Sequence, residues 1–205
     1  MKKLRGRPDS QNLPLHREHL LKVAGDEFLA QGYDGANLDV IARKAGVSKV
    51  TIYRRFASKA GLFEAVALRS VGAMRQRSRS VQILDRNPQE VLMEFAEAIY
   101  EGSTRRTTVA VMRLAIAEMK NFPNIARMLW DHRFETLAPL HHYLQQLHKA
   151  GVLRVPDTWE ASTQFGALVT GGLGLMLDAP IRTQAERTRW LKSAVGLFLD
   201  GCRVG

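Results

Sequence analysis

The sequence predicts an all-α protein: an N-terminal three-helix helix-turn-helix domain, joined by a linking helix to a C-terminal helical domain. Apolar residues recur at helical spacing along the 205 residues, and no strand pattern competes with them. Gly turns and one Asn-Pro turn separate the helical stretches, and basic residues concentrate in the first 80. The predicted divisions are residues 1–14 as a flexible basic arm, 15–80 as the helix-turn-helix domain with its linking helix, and 81–205 as the helical remainder.

The first helix is predicted from Leu15 to about Gln31. Gly32 is expected to end it, because glycine tolerates the backbone angles at a helix C-terminus. The apolar face of this helix consists of Leu20, Ala24 and Phe28. Its predicted role is to hold the next two helices in place.

The second and third helices are predicted to form the helix-turn-helix. Asn37 can cap the second helix by accepting a backbone N–H, and Ser48 can cap the third. Gly46 lies between them, where a sharp turn needs a residue that tolerates positive φ. The second helix carries an apolar stripe at i, i+3, i+4 and i+7, formed by Leu38, Ile41, Ala42 and Ala45. Because Ala42, Gly46 and Ile52 together set the crossing angle, the third helix is presented to a DNA groove.

The fourth helix is predicted to start after Ser58 and to continue toward Arg79 as the linking helix. Lys59 lies in its first turn, where a cation is unfavourable against the helix dipole unless it has an anionic partner. A DNA phosphate would be such a partner. The apolar face of this helix consists of Leu62, Phe63, Val66 and Ala67.

Charge and cysteine content favour a DNA-binding protein over a disulfide-bonded or membrane-spanning one. Residues 1–80 hold 16 Lys and Arg against 7 Asp and Glu, whereas residues 81–205 hold 14 against 13. A basic surface confined to the N-terminal part suits a polyanion such as DNA. The single Cys202 cannot form an internal disulfide, and the apolar run of residues 165–177 is too short to span a bilayer. With no signal-peptide pattern, a cytoplasmic location and no membrane partner are expected.

The C-terminal part is predicted to be helical throughout. Its helices are expected at residues 89–101, 105–120, 124–149, 157–177 and 183–199.

Residues 51–59, Thr-Ile-Tyr-Arg-Arg-Phe-Ala-Ser-Lys, followed by Leu62-Phe63, closely resemble the TetR family of bacterial transcriptional regulators. Residues 113–118, with Phe122-Pro123 and residues 151–154, are similar to its AcrR-like branch. The resemblance implies a homodimer whose recognition helices enter successive major grooves of a near-palindromic operator. It also implies a C-terminal domain that binds a small molecule and thereby lowers DNA affinity through movement of the fourth helix.

Carried onto this sequence, the resemblance gives the recognition helix residues 48–56. Lys49, Val50, Thr51 and Arg54 are predicted to contact base edges. Lys and Arg can donate to guanine, whereas Val and the Thr methyl can contact the thymine methyl. Tyr53, Lys59 and the backbone from Asn37 to Asp39 are assigned to phosphates. The arm either enters the minor groove or stays solvated without contact. The full set of predicted DNA-binding residues is Arg5, Arg7, Asn37, Leu38, Ser48, Lys49, Val50, Thr51, Tyr53, Arg54 and Lys59.

Met and aromatic residues recur at helical spacing in the C-terminal part. Most must be core, but a helical bundle rich in them can also line a deformable pocket for an apolar or amphipathic effector. The predicted pocket residues are Phe95, Met112, Arg113, Ile116, Met119, Trp130, Phe134, Gln164 and Met176. No cofactor or metal site is predicted, since His141 and His148 lie about two turns apart, too far to ligate one ion together.

Dimerisation is assigned to the last two predicted helices. Small residues recur every four positions on the first, and an apolar i, i+3, i+4, i+7 stripe runs along the second. The predicted interface consists of Ser162, Phe165, Gly166, Val169, Thr170, Leu173, Gly174, Leu191, Ala194, Val195 and Phe198. The alternative is that these residues form only the core of a single chain.

An enzyme is the first rival to a DNA-binding regulator. The sequence contains no phosphate loop, nucleophile elbow, His-Glu metal motif or Cys-His pair, so no catalytic residue is predicted. A repressor is the expected role. A DNA-binding protein with an activating or non-transcriptional role remains the alternative.

Overall fold

The computed structural model describes residues 13–78, 86–176 and 182–203. These residues form an all-α architecture, as predicted. The α-helices within the described ranges are α1 (Leu13–Gly35), α2 (Leu38–Ala45), α3 (Lys49–Phe56), α4 (Lys59–Ser78), α5 (Pro88–Thr104), α6 (Arg106–Ala117), α7 (Pro123–Lys149), α8 (Thr158–Thr170) and α9 (Gln184–Cys202).

The chain divides into two compact units within α4, one ending at Arg69 and the other beginning at Ser70. The domain boundary predicted between residues 80 and 81 lies outside the described residues. Nowhere in the described ranges does a helix combine the length and apolar character needed to cross a bilayer.

The N-terminal unit is held together by the faces that the sequence predicted. Its fully buried side chains include Leu20, Leu21, Phe28, Ile41, Ile52, Leu62 and Phe63. Phe28 and Phe63 meet edge to face, with ring centroids 5.1 Å apart, so α1 and α4 pack directly on each other. Helical hydrogen bonding resumes after Gly32 and carries α1 on to Gly35, although Gly32 itself has a φ of 71° and breaks the helical geometry.

The C-terminal unit has its own apolar core, contributed by α5, α7, α8 and α9. Phe165 is fully buried and meets Phe198 edge to face at 5.0 Å. The loop after α7 is tied to the end of α9, because Arg154 N–H donates to the Cys202 carbonyl at 2.7 Å. The predicted bounds of α5, α6, α7 and α9 agree with the structure to within three residues at each end.

The predicted helix of residues 157–177 is shorter than expected. Asp157 caps its start, accepting the N–H groups of Trp159 and Glu160, but α8 ends at Thr170. Gly171 and Gly172 have φ values of 74° and 68°, and a short 3₁₀ helix, Gly172–Leu175, follows. Because two consecutive left-handed residues end the helix, Gly174 does not share the helical face of Ser162, Gly166 and Thr170.

Candidate nucleic-acid interface

Local caps fix how α2 and α3 meet. Asn37 Oδ1 accepts the Asp39 N–H at 2.7 Å at the start of α2. Gly46 ends α2 with a φ of 67°, and Ser48 Oγ accepts the Thr51 N–H at 3.1 Å at the start of α3. These three predictions are confirmed. The direction of α3 is therefore set by hydrogen bonds and by one glycine, all within 15 residues of chain.

Helix α3 lies on the surface of its unit. Of its eight residues only Ile52 is buried. Val50 is 74% exposed, Tyr53 is 45% exposed, and Arg54 is exposed as well. An apolar side chain, a phenol and a guanidinium are thus accessible on two turns of helix. Those groups suit a thymine methyl, a phosphate and a guanine edge, respectively.

Two predicted DNA-binding side chains are already engaged within the chain. Lys49 Nζ donates to Asp39 Oδ2 at 2.9 Å, and this bond with the adjacent carboxylate charge raises the pKa of Lys49. Lys59 Nζ donates to the Asp34 carbonyl at 2.9 Å and lies 4.9 Å from the centre of the Tyr33 ring. The charge of Lys59 therefore has two uncharged partners near the start of α4, a carbonyl oxygen and an aromatic ring, and its contact with a phosphate stays a prediction.

The other predicted contacts are placed as follows. The Leu38 side chain is buried, so only its backbone is available to DNA. The Ser48 and Thr51 hydroxyl oxygens are 2.9 Å apart and occupied with each other. Arg5 and Arg7 lie outside the described residues. Phe56, the last residue of α3, is half-buried.

Sequence reasoning missed the turn between α3 and α4. Ala57 has a φ of 61° and a ψ of −39°, a positive φ that is unusual for a residue with a Cβ. Ser58 Oγ accepts the Gly61 N–H at 3.0 Å and caps α4, which starts directly after Ser58 as predicted. A Cβ at Gly61 would collide with the Phe56 carbonyl oxygen. Gly61 is visible in the sequence, but a glycine inside a helical pattern does not by itself show that another backbone group, here the Phe56 carbonyl, lies against it.

Comparison with known families agrees with this geometry. Residues 20–66 match the family described as bacterial regulatory proteins, tetR family, and residues 90–201 match the C-terminal domain of AefR-like transcriptional repressors. The chain belongs to the TetR family. It is therefore a DNA-binding transcriptional regulator, and its α2 and α3 lie within the residues that match the tetR family.

Individual relatives extend over nearly the whole of this TetR-family chain. The HTH-type transcriptional regulator SrpR of Pseudomonas putida is 26% identical over 188 residues, which cover 89% of this chain and 83% of SrpR. The structure of the flavonoid-responsive regulator FrrA is 30% identical, covers 93% of this chain and 98% of its own, and has a TM-score of 0.76. A TetR-family structure from Mesorhizobium loti is 23% identical, with 93% and 98% coverage and a TM-score of 0.82.

The predicted effector residues of this TetR-family protein occupy different environments. Phe95 is packed in the core, with its ring 6.0 Å from that of Tyr143. Ile116, Trp130, Phe134 and Gln164 are exposed, Trp130 by 60%. The remaining members, Met112, Arg113, Met119 and Met176, are half-buried.

A cavity of about 320 Å³ opens in the C-terminal unit, near the start of α5. Its lining residues are Asn87, Gln89, Glu90, Met93, Lys192 and Val195. None of the predicted effector residues is among those six.

The predicted interface residues require a correction. Seven of them are buried within a single chain, because their helix faces pack inward: Ser162, Phe165, Val169, Leu191, Ala194, Val195 and Phe198. Gly166 and Thr170 are half-buried, Gly174 lies in the 3₁₀ turn, and the Leu173 side chain lies outside the described part. The large apolar side chains that α8 and α9 expose are instead Leu168, at 36%, and Leu197, at 63%.

Two histidines of α7, His141 and His148, make local contacts. His141 Nδ1 lies 2.9 Å from Thr158 Oγ1, and its ring stacks on Trp159 with centroids 3.9 Å apart. Burial, followed by the neighbouring His142, lowers the pKa of His141. His148 Nδ1 accepts the Val155 N–H at 3.2 Å. In the described ranges, no three His, Cys, Asp or Glu residues lie close enough to hold a metal ion.

Proposed function

We propose that this protein is a cytoplasmic, homodimeric repressor that binds a near-palindromic operator and is released by a small apolar or amphipathic effector. The proposal that α3 binds DNA is supported by the exposure of its side chains Val50, Tyr53 and Arg54. Two copies related by a two-fold axis would place their α3 helices in half-sites about 34–36 Å apart, or a multiple of that distance. The C-terminal match to AefR-like repressors supports repression over activation.

Each α3 side chain has a separate role in this proposal. Arg54 donates to guanine and Val50 contacts a thymine methyl, whereas Tyr53 donates to a phosphate. Lys59 can also serve a phosphate, because its ammonium has three donors and the Asp34 carbonyl occupies one. Base contacts select sequence, and phosphate contacts set position on the duplex.

The test is selection of bound sequences from a random double-stranded DNA pool at two salt concentrations. We expect a palindromic motif that persists at the higher salt. Arg54→Ala should relax one position of each half-site by about 1–3 kcal/mol. Tyr53→Phe should weaken binding to operator and random DNA alike, since it removes a phosphate contact.

Arg189→Ala, an exposed arginine on α9, is the matched control and should leave the motif intact. Equal losses on operator and random DNA for Arg54→Ala would remove its base-reading role. Salt-sensitive binding without a motif would favour the non-transcriptional alternative.

The effector class is proposed from the relatives and from the composition of the C-terminal unit. FrrA is flavonoid-responsive by name, and aromatic side chains such as Trp130 and Phe134 are accessible on α7 here. Planar polyphenols are therefore the first compounds to try in displacing the protein from its selected operator. Release requires that the compound bind the DNA-free arrangement more tightly than the DNA-bound one. Helix α4 is the covalent path, because it contains residues of both units.

For the dimer we propose the outward faces of α8 and α9, marked by Leu168 and Leu197, in place of the buried residues. Leu197→Lys would put a charge into this interface and should weaken the dimer by at least about tenfold, which corresponds to roughly 1.4 kcal/mol. Sedimentation at several protein concentrations measures the effect. Leu29→Lys, also an exposed leucine but on α1, is the control and should remain dimeric. An unchanged dimer in Leu197→Lys would move the interface elsewhere.

A further inference from the structure

An acidic side chain lies beside helix α3 of a basic unit. Asp39, in the first turn of α2, has a side chain that is 67% exposed, and its carboxylate pairs with Lys49 at 2.9 Å. Lys49 opens α3, ten residues further along the chain. The pair thus bridges the two helices of the helix-turn-helix at the point where α3 begins.

The fold has little need of this ion pair. An exposed pair between flexible side chains stabilises a protein only slightly. The start of α2 is capped by Asn37, and the start of α3 is capped by Ser48, without help from either partner. A carboxylate near DNA also repels phosphates, so Asp39 weakens DNA binding. The slight stabilisation of the fold by the ion pair does not compensate for that loss of affinity.

The pair does constrain Lys49. A lysine in the first turn of a helix is unfavourable against the helix dipole, and the Asp39 carboxylate offsets that effect. The ammonium donates one of its three hydrogens to Asp39, so two donors remain, on a side chain that is 44% exposed. The pair thus favours an orientation of Lys49 in which the two charges cancel and its remaining donors are accessible.

We propose that Asp39 is a specificity-determining, positioning residue that keeps Lys49 as a reader of a guanine edge and prevents it from serving as an unselective phosphate clamp. This inference rests on the proposed operator-binding function. Non-specific affinity comes almost entirely from cations that neutralise phosphates, and a lysine paired with a carboxylate contributes little to it. On the operator, the oriented ammonium can donate its free hydrogens to guanine O6 and N7 without leaving Asp39.

The experiment measures affinity of the full chain for a random-sequence duplex and for the selected operator across a range of salt concentrations. Asp39→Asn should raise affinity for the random duplex by roughly five- to tenfold near 0.1 M salt and steepen the salt slope by about one, the contribution of one phosphate. Operator affinity should change less, so the ratio of operator to random affinity should fall. Lys49→Met in the Asp39→Asn background should abolish the gain on random DNA.

Asp26→Asn is the matched control. Asp26 pairs with Lys22 at 3.4 Å on α1 and has a side chain that is 64% exposed, so the charge change and environment are alike, but Lys49 is untouched. It should change random-duplex affinity by less than Asp39→Asn does. Urea unfolding of each variant verifies that the fold is retained.

Three results overturn the inference: equal effects of Asp39→Asn and Asp26→Asn, an equal gain on operator and random DNA, or persistence of the gain without Lys49. Failure of the proposed function is distinguishable, because wild type would then select no motif. In that case the operator-reading role assigned to Lys49 falls with it, whereas the random-duplex slopes still determine whether Asp39 neutralises Lys49.

Discussion

Helix α3 and the C-terminal helices are held in place by different physical means. Helix α3 buries one of its eight residues and depends on Ser48, Gly46 and the turn into α4 for its position. Helix α9 buries four apolar side chains, Leu191, Ala194, Val195 and Phe198, in the core of its unit. A helix held by caps and turns keeps its side chains free for a ligand, whereas a helix held by packing does not. The two regions should therefore fail under different substitutions.

The largest effect is expected in the packed region. Phe165→Ala removes a fully buried ring that contacts Phe198, and should lower the free energy of unfolding by about 3–5 kcal/mol. Urea unfolding measures this. Gln164→Ala, a substitution at the neighbouring position on the exposed face of α8, is the control and should cost far less. Comparable losses for both would mean that burial does not separate the two faces of α8.

The second effect tests the turn that positions α3. Gly61→Ala places a Cβ against the Phe56 carbonyl oxygen, and since backbone must move to accommodate it, we expect a loss of about 1–3 kcal/mol together with weakened DNA binding. Gly72→Ala, further along α4, meets no atom within 4 Å and should stabilise the helix by about 1 kcal/mol. A neutral Gly61→Ala would show that the turn can relax without moving α3.

This contrast also explains how far the sequence alone could lead. Asn37, Gly46 and Ser48 were predictable because a cap or a left-handed turn depends on a few neighbouring residues. The inward orientation of Ser162 and Val195 was not, because an apolar or small-residue stripe looks the same whether it faces its own chain or a partner. The Lys49 bridge to Asp39 joins two helices, and no helical periodicity encodes it.

A smaller effect, of opposite sign, is expected at the end of α3. Ala57 has a φ of 61°, which disfavours any residue with a Cβ, so Ala57→Gly should stabilise the N-terminal unit by about 0.5–1 kcal/mol despite the greater flexibility of glycine. Thermal or urea unfolding measures the gain. Ala60→Gly, in the first turn of α4, is the control and should destabilise. Loss of stability in both variants would show that Ala57 is unstrained.

The smallest effect is a pH dependence confined to the packed region. Burial of His141 against Trp159 lowers its pKa from the ordinary value of 6.5, with His142 adding to the shift. As the pH falls below 6.5, the unfolded chain therefore takes up this proton before the folded chain does. The contribution of His141 is fully present above that pH, and it declines until the folded protein is protonated as well.

We expect the free energy of unfolding to decrease between pH 7.5 and pH 5.5, by an amount that shrinks in His141→Gln. His19→Gln, an exposed histidine on α1, is the control and should leave the acid loss as in wild type. Urea unfolding followed by tryptophan fluorescence suits the measurement, since Trp159 stacks on His141 and reports on the same helix pair. If His141→Gln keeps the full acid loss, other groups carry it, and the folded protein does not lower the pKa of His141 enough to affect stability.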